Sequence, residues 1–284
     1  MKEWRCTKEM SLIDFLEEVS SFSHKKAKAL LKYEKVYVNG KVRTFYNYPL
    51  HEKDRVCVDL KTKKLPETFK ILYEDDDIIV VTKKEGLLTV STEKEKENTL
   101  YHMVREYVKE KNPHTFLFVV HRLDRETSGI VVFAKKEKVK RVLQENWNEW
   151  TQKRGYTAVL DGSLPQKEGT LISYLTEKKD RVYSSKSPKD GKKAITKYTV
   201  LKKNNSYTLV DIALETGRKN QIRVQFSSLG YPIVGDRKYG NSAGPLKRMA
   251  LHAGELYFTH PTTHRNMRFI EKAPASFERL LKVK

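Results

Sequence analysis

The segment 116–135, FLFVVHRLDRETSGIVVFAK, constrains the fold more than any other stretch of the chain. Two apolar runs of strand character flank the polar block His121-Arg122-Leu123-Asp124-Arg125-Glu126-Thr127-Ser128-Gly129. The apolar runs need a buried sheet, and the block between them must then surface as a loop held by rigid strands. Catalytic groups are often carried on such loops. A carboxylate between Arg122 and Arg125 is expected to stay ionised and to tolerate a phosphate-rich surrounding. On local sequence alone, the same pattern also reads as a structural salt-bridge corner.

The remainder of the chain gives an order of elements. Residues 11–34 fit two short amphipathic helices. Ser11 can cap the first, which places Leu12, Ile13, Phe15, Leu16 and Val19 at helical spacing. The second starts near Ser23 and sets Ala27, Leu30 and Leu31 against a face bearing Lys25, Lys26, Lys28 and Lys32. Alternation around Asn39-Gly40 predicts a hairpin over 36–42, and 55–60 can add a strand. A lysine-rich stretch with Pro66 reads as a linker over 61–70, dividing a module of 1–60 from a larger domain of 71–284. In that domain two strand-like runs flank the turn-forming acids Asp75 to Asp77, and residues 98–109 read as a helix.

Charge then narrows the partners. Lysine and arginine number 56 against 36 acids, a net charge of +20, which calls for a polyanion and favours nucleic acid. The N-terminus lacks the apolar run of a secretory signal, and no stretch approaches the ~20 apolar residues of a bilayer span, so a cytoplasmic protein without a membrane partner is expected. Cys6 and Cys57 are too few for a disulfide scaffold and are not spaced as a zinc set with the histidines. No dinucleotide glycine fingerprint is present, and no cofactor or metal is expected.

The helix-helix-hairpin order of 9–60, with "VYVNGKV" and "DRVCVDL", resembles the S-four-type RNA-binding module first recognised in a small-subunit ribosomal protein. The block HRLDRETSG is similar over its whole length to the active-site motif of the large-subunit ribosomal RNA type of pseudouridine synthase, the RluA-like family. "GRKNQIRVQFSSLGYPIVGDRKYG" (217–240), "LHAGELYFTHP" (251–261) and "KRGYTAVLDG" (153–162) resemble further segments of that family in order, so that the likeness runs from about residue 70 to 274.

The resemblance implies an α+β fold, a catalytic domain on a mostly antiparallel mixed sheet, and cofactor-free isomerisation of uridine within structured RNA. It implies Asp124 as the catalytic carboxylate, Tyr156 as the residue stacked on the base, and Arg223 as the partner of Asp124. Before the resemblance is weighed, Tyr156 reads as an ordinary half-buried strand tyrosine. Arg122 is the candidate for base flipping or phosphate contact, with Arg125, Arg218, Lys25, Lys26 and Lys28 as further RNA-binding candidates. Ribosomal RNA is favoured over transfer RNA, and a monomer is expected.

Four positions depart from the family pattern: Lys219-Asn220 where a Thr-His pair is usual, Lys84 where a proline is common, and Gln225 where a histidine is frequent. A non-catalytic RNA-binding or assembly factor of the same fold is the main rival reading. A phosphate-processing enzyme would need a glycine-rich loop or carboxylate metal site that Gly217 and Gly235-Asp236 do not supply.

Overall fold

The computed structural model describes residues 2–32, 34–59, 69–93, 95–240 and 244–282, with the side chains of residues 25 and 190 outside that description. The expected linker lies outside the described residues, except for its last two positions. The chain divides into two compact units, Met1–Lys64 and Leu65–Lys284.

In the smaller unit, helices Leu12–Glu18 and His24–Lys32 pack on a four-stranded antiparallel sheet. The Ser11 hydroxyl accepts from the Asp14 amide at 3.3 Å, supplying the expected cap. Leu12, Phe15 and Leu16 of the first helix and Ala27 and Leu31 of the second are buried with Val36, Val38, Val56 and Val58. This is the apolar stripe seen in the sequence, closed against alternate residues of the strands. The hairpin between Val36–Val38 and Lys41–Val42 turns through Asn39 and Gly40, both with positive φ (50° and 77°). The strand Lys2–Arg5, paired to Arg55–Val58, is an addition to the sequence reading.

The larger unit is α+β. Among the described residues it carries an eleven-stranded mixed sheet. The central order is Tyr207–Leu214, Thr151–Asp161, Leu251–Thr259, Ser128–Ala134, Ile78–Lys83. Every pairing described in it is antiparallel except one, Ser128–Ala134 with Leu251–Thr259. The strand Ser128–Ala134 is buried at all seven positions, the pattern of a strand covered on both faces. At the parallel junction Gly129 has φ 126°, and a Cβ there would stand 2.1 Å from the Ala253 carbonyl oxygen, so only glycine allows this close approach.

The first apolar run of the 116–135 segment forms only a two-residue strand, Phe118–Val119, and the polar block forms the loop ahead of Ser128. Helix Leu100–Lys111 is capped by the Thr99 hydroxyl, and its Leu100, Val104 and Val108 enter the core. Helix Gln221–Ser228 is buried from Gln221 through Phe226, polar residues included. Those buried polar groups lead directly to the site.

Candidate active site

The loop bearing Asp124 is fixed from several sides. The Leu123 amide donates to the Thr89 hydroxyl at 3.1 Å, and that hydroxyl donates to the Leu123 carbonyl at 2.8 Å. Lys83, 2 % exposed, spends its three N–H bonds on the carbonyls of Lys84, Leu87 and Arg125, at 2.9, 2.6 and 2.9 Å. Burial pushes its ammonium down to about 7, against the opposing charges of Glu126 and Asp124. Ser128 sits between His252 Nδ1 (2.8 Å) and Arg248 (2.7 Å). His252 Nε2 lies 3.1 Å from the Glu271 carbonyl, which only accepts, so Nδ1 is left as the acceptor for Ser128. Burial pushes this imidazole down to about 4.

Asp124 itself is partly accessible, its side chain 29 % exposed. Arg223 Nη1 donates to Asp124 Oδ2 at 3.0 Å, while its Nε and Nη2 donate to the two oxygens of Asp236 at 2.8 and 2.9 Å. Asp236 is 1 % exposed and also accepts from the amides of Lys238 and Tyr239. Burial works against the Arg223 charge, but the hydrogen bonds it donates to Asp236 outweigh it and hold its acidity below that of a free guanidinium. The fork is therefore locked by one carboxylate while its remaining edge faces another. Asp236 was not singled out for this role in the sequence. The signal available was its place in "GDRKYG", just beyond the helix that carries Arg223.

Tyr156, on strand Thr151–Asp161, lines the same cavity as Asp124, and burial raises its phenol to about 12, helped by the Asp124 charge and opposed by Arg154. The cavity holds about 1050 Å³, and a smaller one of about 100 Å³ adjoins it. Arg122, Asp124, Tyr156 and Arg218 line both. Arg122 and Arg125 are exposed, and Arg218 Nε donates to the Lys193 carbonyl at 3.1 Å. The candidates Asp124, Tyr156, Arg223, Arg122, Arg125 and Arg218 thus gather at one cleft. Lys26 and Lys28 belong to the smaller unit, where Lys26 lies over the Phe22 ring at 4.9 Å; the Lys25 side chain lies outside the described residues. Arg154, also on the cavity wall, was passed over in the sequence although it stands two residues before Tyr156 on the same strand.

Two departures from the family pattern have a structural account. Asn220 stands at the N-cap position of helix Gln221–Ser228 with φ 54°, a left-handed conformation that asparagine tolerates, and makes no side-chain cap. Gln225, 4 % exposed, accepts from the Thr196 hydroxyl at 2.6 Å and donates to Ser173 Oγ and the Ala194 carbonyl at 3.0 and 3.1 Å. Asp236 of the Gly235-Asp236 pair is committed to Arg223. Among the described residues no group of three His, Cys, Asp or Glu is arranged to hold a metal ion.

Comparison with known proteins adds an independent line. A family model described as RNA pseudouridylate synthase matches residues 77–228. The uncharacterized RNA pseudouridine synthase YjbO of Bacillus subtilis (strain 168) is 32% identical over 252 residues, covering 86% of this chain and 89% of that protein. The ribosomal large subunit pseudouridine synthase D of Neisseria meningitidis serogroup A is 33% identical over 231 residues, 77% of this chain and 62% of that protein. In structure, human RNA pseudouridylate synthase domain containing 4 superposes with a TM-score of 0.61 at 23% identity, covering 75% of this chain and 91% of that one. This last likeness concerns the fold.

Proposed function

The chain belongs to the RNA pseudouridylate synthase family and is an RNA-modifying isomerase, and from that premise we propose that Asp124, Arg223 and Tyr156 isomerise a uridine of large-subunit ribosomal RNA. The single observation that carries the residue assignment is the Asp236–Arg223–Asp124 array opening on a cleft also lined by Tyr156. A rigid cation presents one accessible carboxylate to a cavity large enough for a flipped nucleotide.

The reaction breaks the bond from uracil N1 to C1′, turns the detached uracil, joins its C5 to C1′ and releases the C5 proton, while N1 takes up a proton in its place. Nothing is oxidised or transferred to a second molecule. What the site must supply is an ionised carboxylate that attacks covalently or stabilises a cationic sugar, as in glycoside chemistry. Asp124 is that group, and Arg223 keeps it oriented and charged. Arg122, exposed at the mouth, fills the space left by the flipped base or pairs with backbone phosphate.

Tyr156 holds the ring during its turn. Its phenol, near 12 in the free protein, is too weakly acidic to begin as a base. A bond to Asp124 would cancel the negative charge that helps keep that phenol protonated, making it a better proton carrier at the later step than at the first.

The choice of large-subunit ribosomal RNA over transfer RNA rests on the similarity to the ribosomal large subunit synthases and on the N-terminal unit that resembles an RNA-binding module of a ribosomal protein. The unit Met1–Lys64 is proposed as an S-four-type RNA-binding module acting through its lysine-bearing helix His24–Lys32.

The test is tritium release from RNA labelled at uracil C5, prepared without cellular modification, with wild type and Asp124→Asn compared at equal RNA occupancy. Release by wild type alone, from ribosomal but not transfer RNA, is expected. Equal release by both proteins removes Asp124 from the chemistry, and release from transfer RNA alone moves the target.

A further inference from the structure

The cleft is larger than its assigned residues need. At about 1050 Å³ it reaches the upper end of pockets that bury a single small ligand, roughly 300–1,000 Å³, while Asp124, Tyr156 and Arg223 gather around one end beside the smaller cavity. The rest of its wall comes from a different part of the chain. Helix Glu137–Glu145 contributes Lys140, and the short helix Trp147–Trp150 contributes Trp147. The Trp147 indole stacks on the His121 imidazole with ring centroids 4.9 Å apart and planes inclined by 29°. Both rings line the cleft and both are largely buried but in contact with solvent. An accessible, nearly parallel ring pair on a cavity wall is a surface on which a third flat ring can continue the stack.

The charges around this pair suit a nucleotide. Burial, with help from the Arg154 charge, pushes His121 down to about 4, so at neutral pH it presents an uncharged aromatic face. Its Nε2 accepts from the Val132 amide at 3.2 Å, which leaves the proton on Nδ1. Lys140 has no acidic partner among the described residues. Arg154 gives one N–H to the Glu215 carbonyl and has others to spend. It lines the cleft together with His121 and Tyr156 and lies two residues from Tyr156 on the same strand. A cation there can hold the phosphate joining two successive nucleotides.

We propose that the Trp147–His121 pair is a second nucleotide subsite, which stacks the base of an unpaired neighbour of the target uridine while Arg154 and Lys140 bind the intervening backbone. This rests on the reading of the cleft as the uridine site and deepens it. The RNA recognised must then offer at least two adjacent nucleotides out of the helical stack, and Trp147 helps to select it.

The test uses a labelled single-stranded nonamer with one central uridine among adenosines, and two versions with an abasic ribose on either side of that uridine. Wild type, Trp147→Phe and Trp147→Ala are titrated with each by fluorescence anisotropy. Removing the base on one side is expected to weaken wild-type binding roughly 5- to 150-fold, the range of one base-aromatic stack. Trp147→Phe should keep most of that difference, whereas Trp147→Ala should bind all three RNAs alike, at the weakened level. Equal losses in wild type and Trp147→Ala, no loss in wild type, or no binding of the intact nonamer would each overturn the subsite. Tritium release is read separately on unmodified ribosomal RNA. Coupling without release would sink the proposed chemistry and leave the subsite standing, and release without coupling would do the reverse.

Discussion

At the scale of single residues, Arg223 has two duties that a substitution can separate. Its bidentate pairing with Asp236 is buried, and its third contact orients the accessible Asp124. Arg223→Met would leave Asp236 as an uncompensated buried charge, a loss of about 3–5 kcal/mol by analogy with other broken buried pairs. The double variant Arg223→Met with Asp236→Asn removes both charges but keeps an oxygen to accept from the Lys238 and Tyr239 amides, and is expected to recover most of that loss in urea denaturation while remaining without tritium release. Recovery of activity along with stability would mean that Arg223 serves only the fold. The pairing of Arg223 with Asp124 could be expected from the family resemblance, but its lock by Asp236 could not. Nothing in the residue types says which of two acids a buried guanidinium will grip with its fork, since that depends on how the turn 234–239 folds back on helix Gln221–Ser228.

Among the elements, what was legible followed from local physics. Capped amphipathic helices and the Asn-Gly hairpin are written in neighbouring residues, and Ser11 and Asn39-Gly40 stand where those rules put them. The parallel pairing of Ser128–Ala134 with Leu251–Thr259 joins strands more than a hundred residues apart, and it shows in the sequence only as an unexplained Gly129. Strands Glu168–Lys178 and Lys192–Lys203 were not assigned, because with half their positions or more in contact with solvent they hold too few apolar residues to announce themselves. Gln225 had no account in sequence for the same reason, as its partners come from those two strands. Gln225→Leu would bury the Thr196 hydroxyl and the Ala194 carbonyl without that partner, at a cost of about 1–3 kcal/mol for each group left unsatisfied. Gln225→His, which keeps one donor and one acceptor, should cost less. Thermal unfolding of the two variants gives the order, and equal losses would assign Gln225 to packing alone.

The whole molecule responds to its surroundings through buried imidazoles and through net charge. His252 titrates at about 4 in the folded protein against 6.5 for the free side chain, so between those values the unfolded chain binds more protons. Stability from this group is complete above pH 6.5 and falls as pH drops to about 4, by on the order of 3 kcal/mol. His121 is shifted to the same value, so His252→Gln should lessen the slope of the urea-denaturation profile across that window by roughly half, and an unchanged slope would place the titration elsewhere. Salt acts on a different quantity. With a net charge of +20, association with RNA releases condensed counterions, and affinity should fall steeply and log-linearly with salt. Asp124 meets its arginine inside the protein at 3.0 Å, where mobile ions screen weakly. Raising salt from 50 to 200 mM is therefore expected to lower kcat/KM for tritium release by roughly 10³-fold or more if six or more phosphates are contacted, while kcat at saturating RNA changes little. A parallel fall in kcat would mean that the cations needed for chemistry lie in the solvent-exposed set, Arg122 and Arg125, rather than in the locked array behind Asp124.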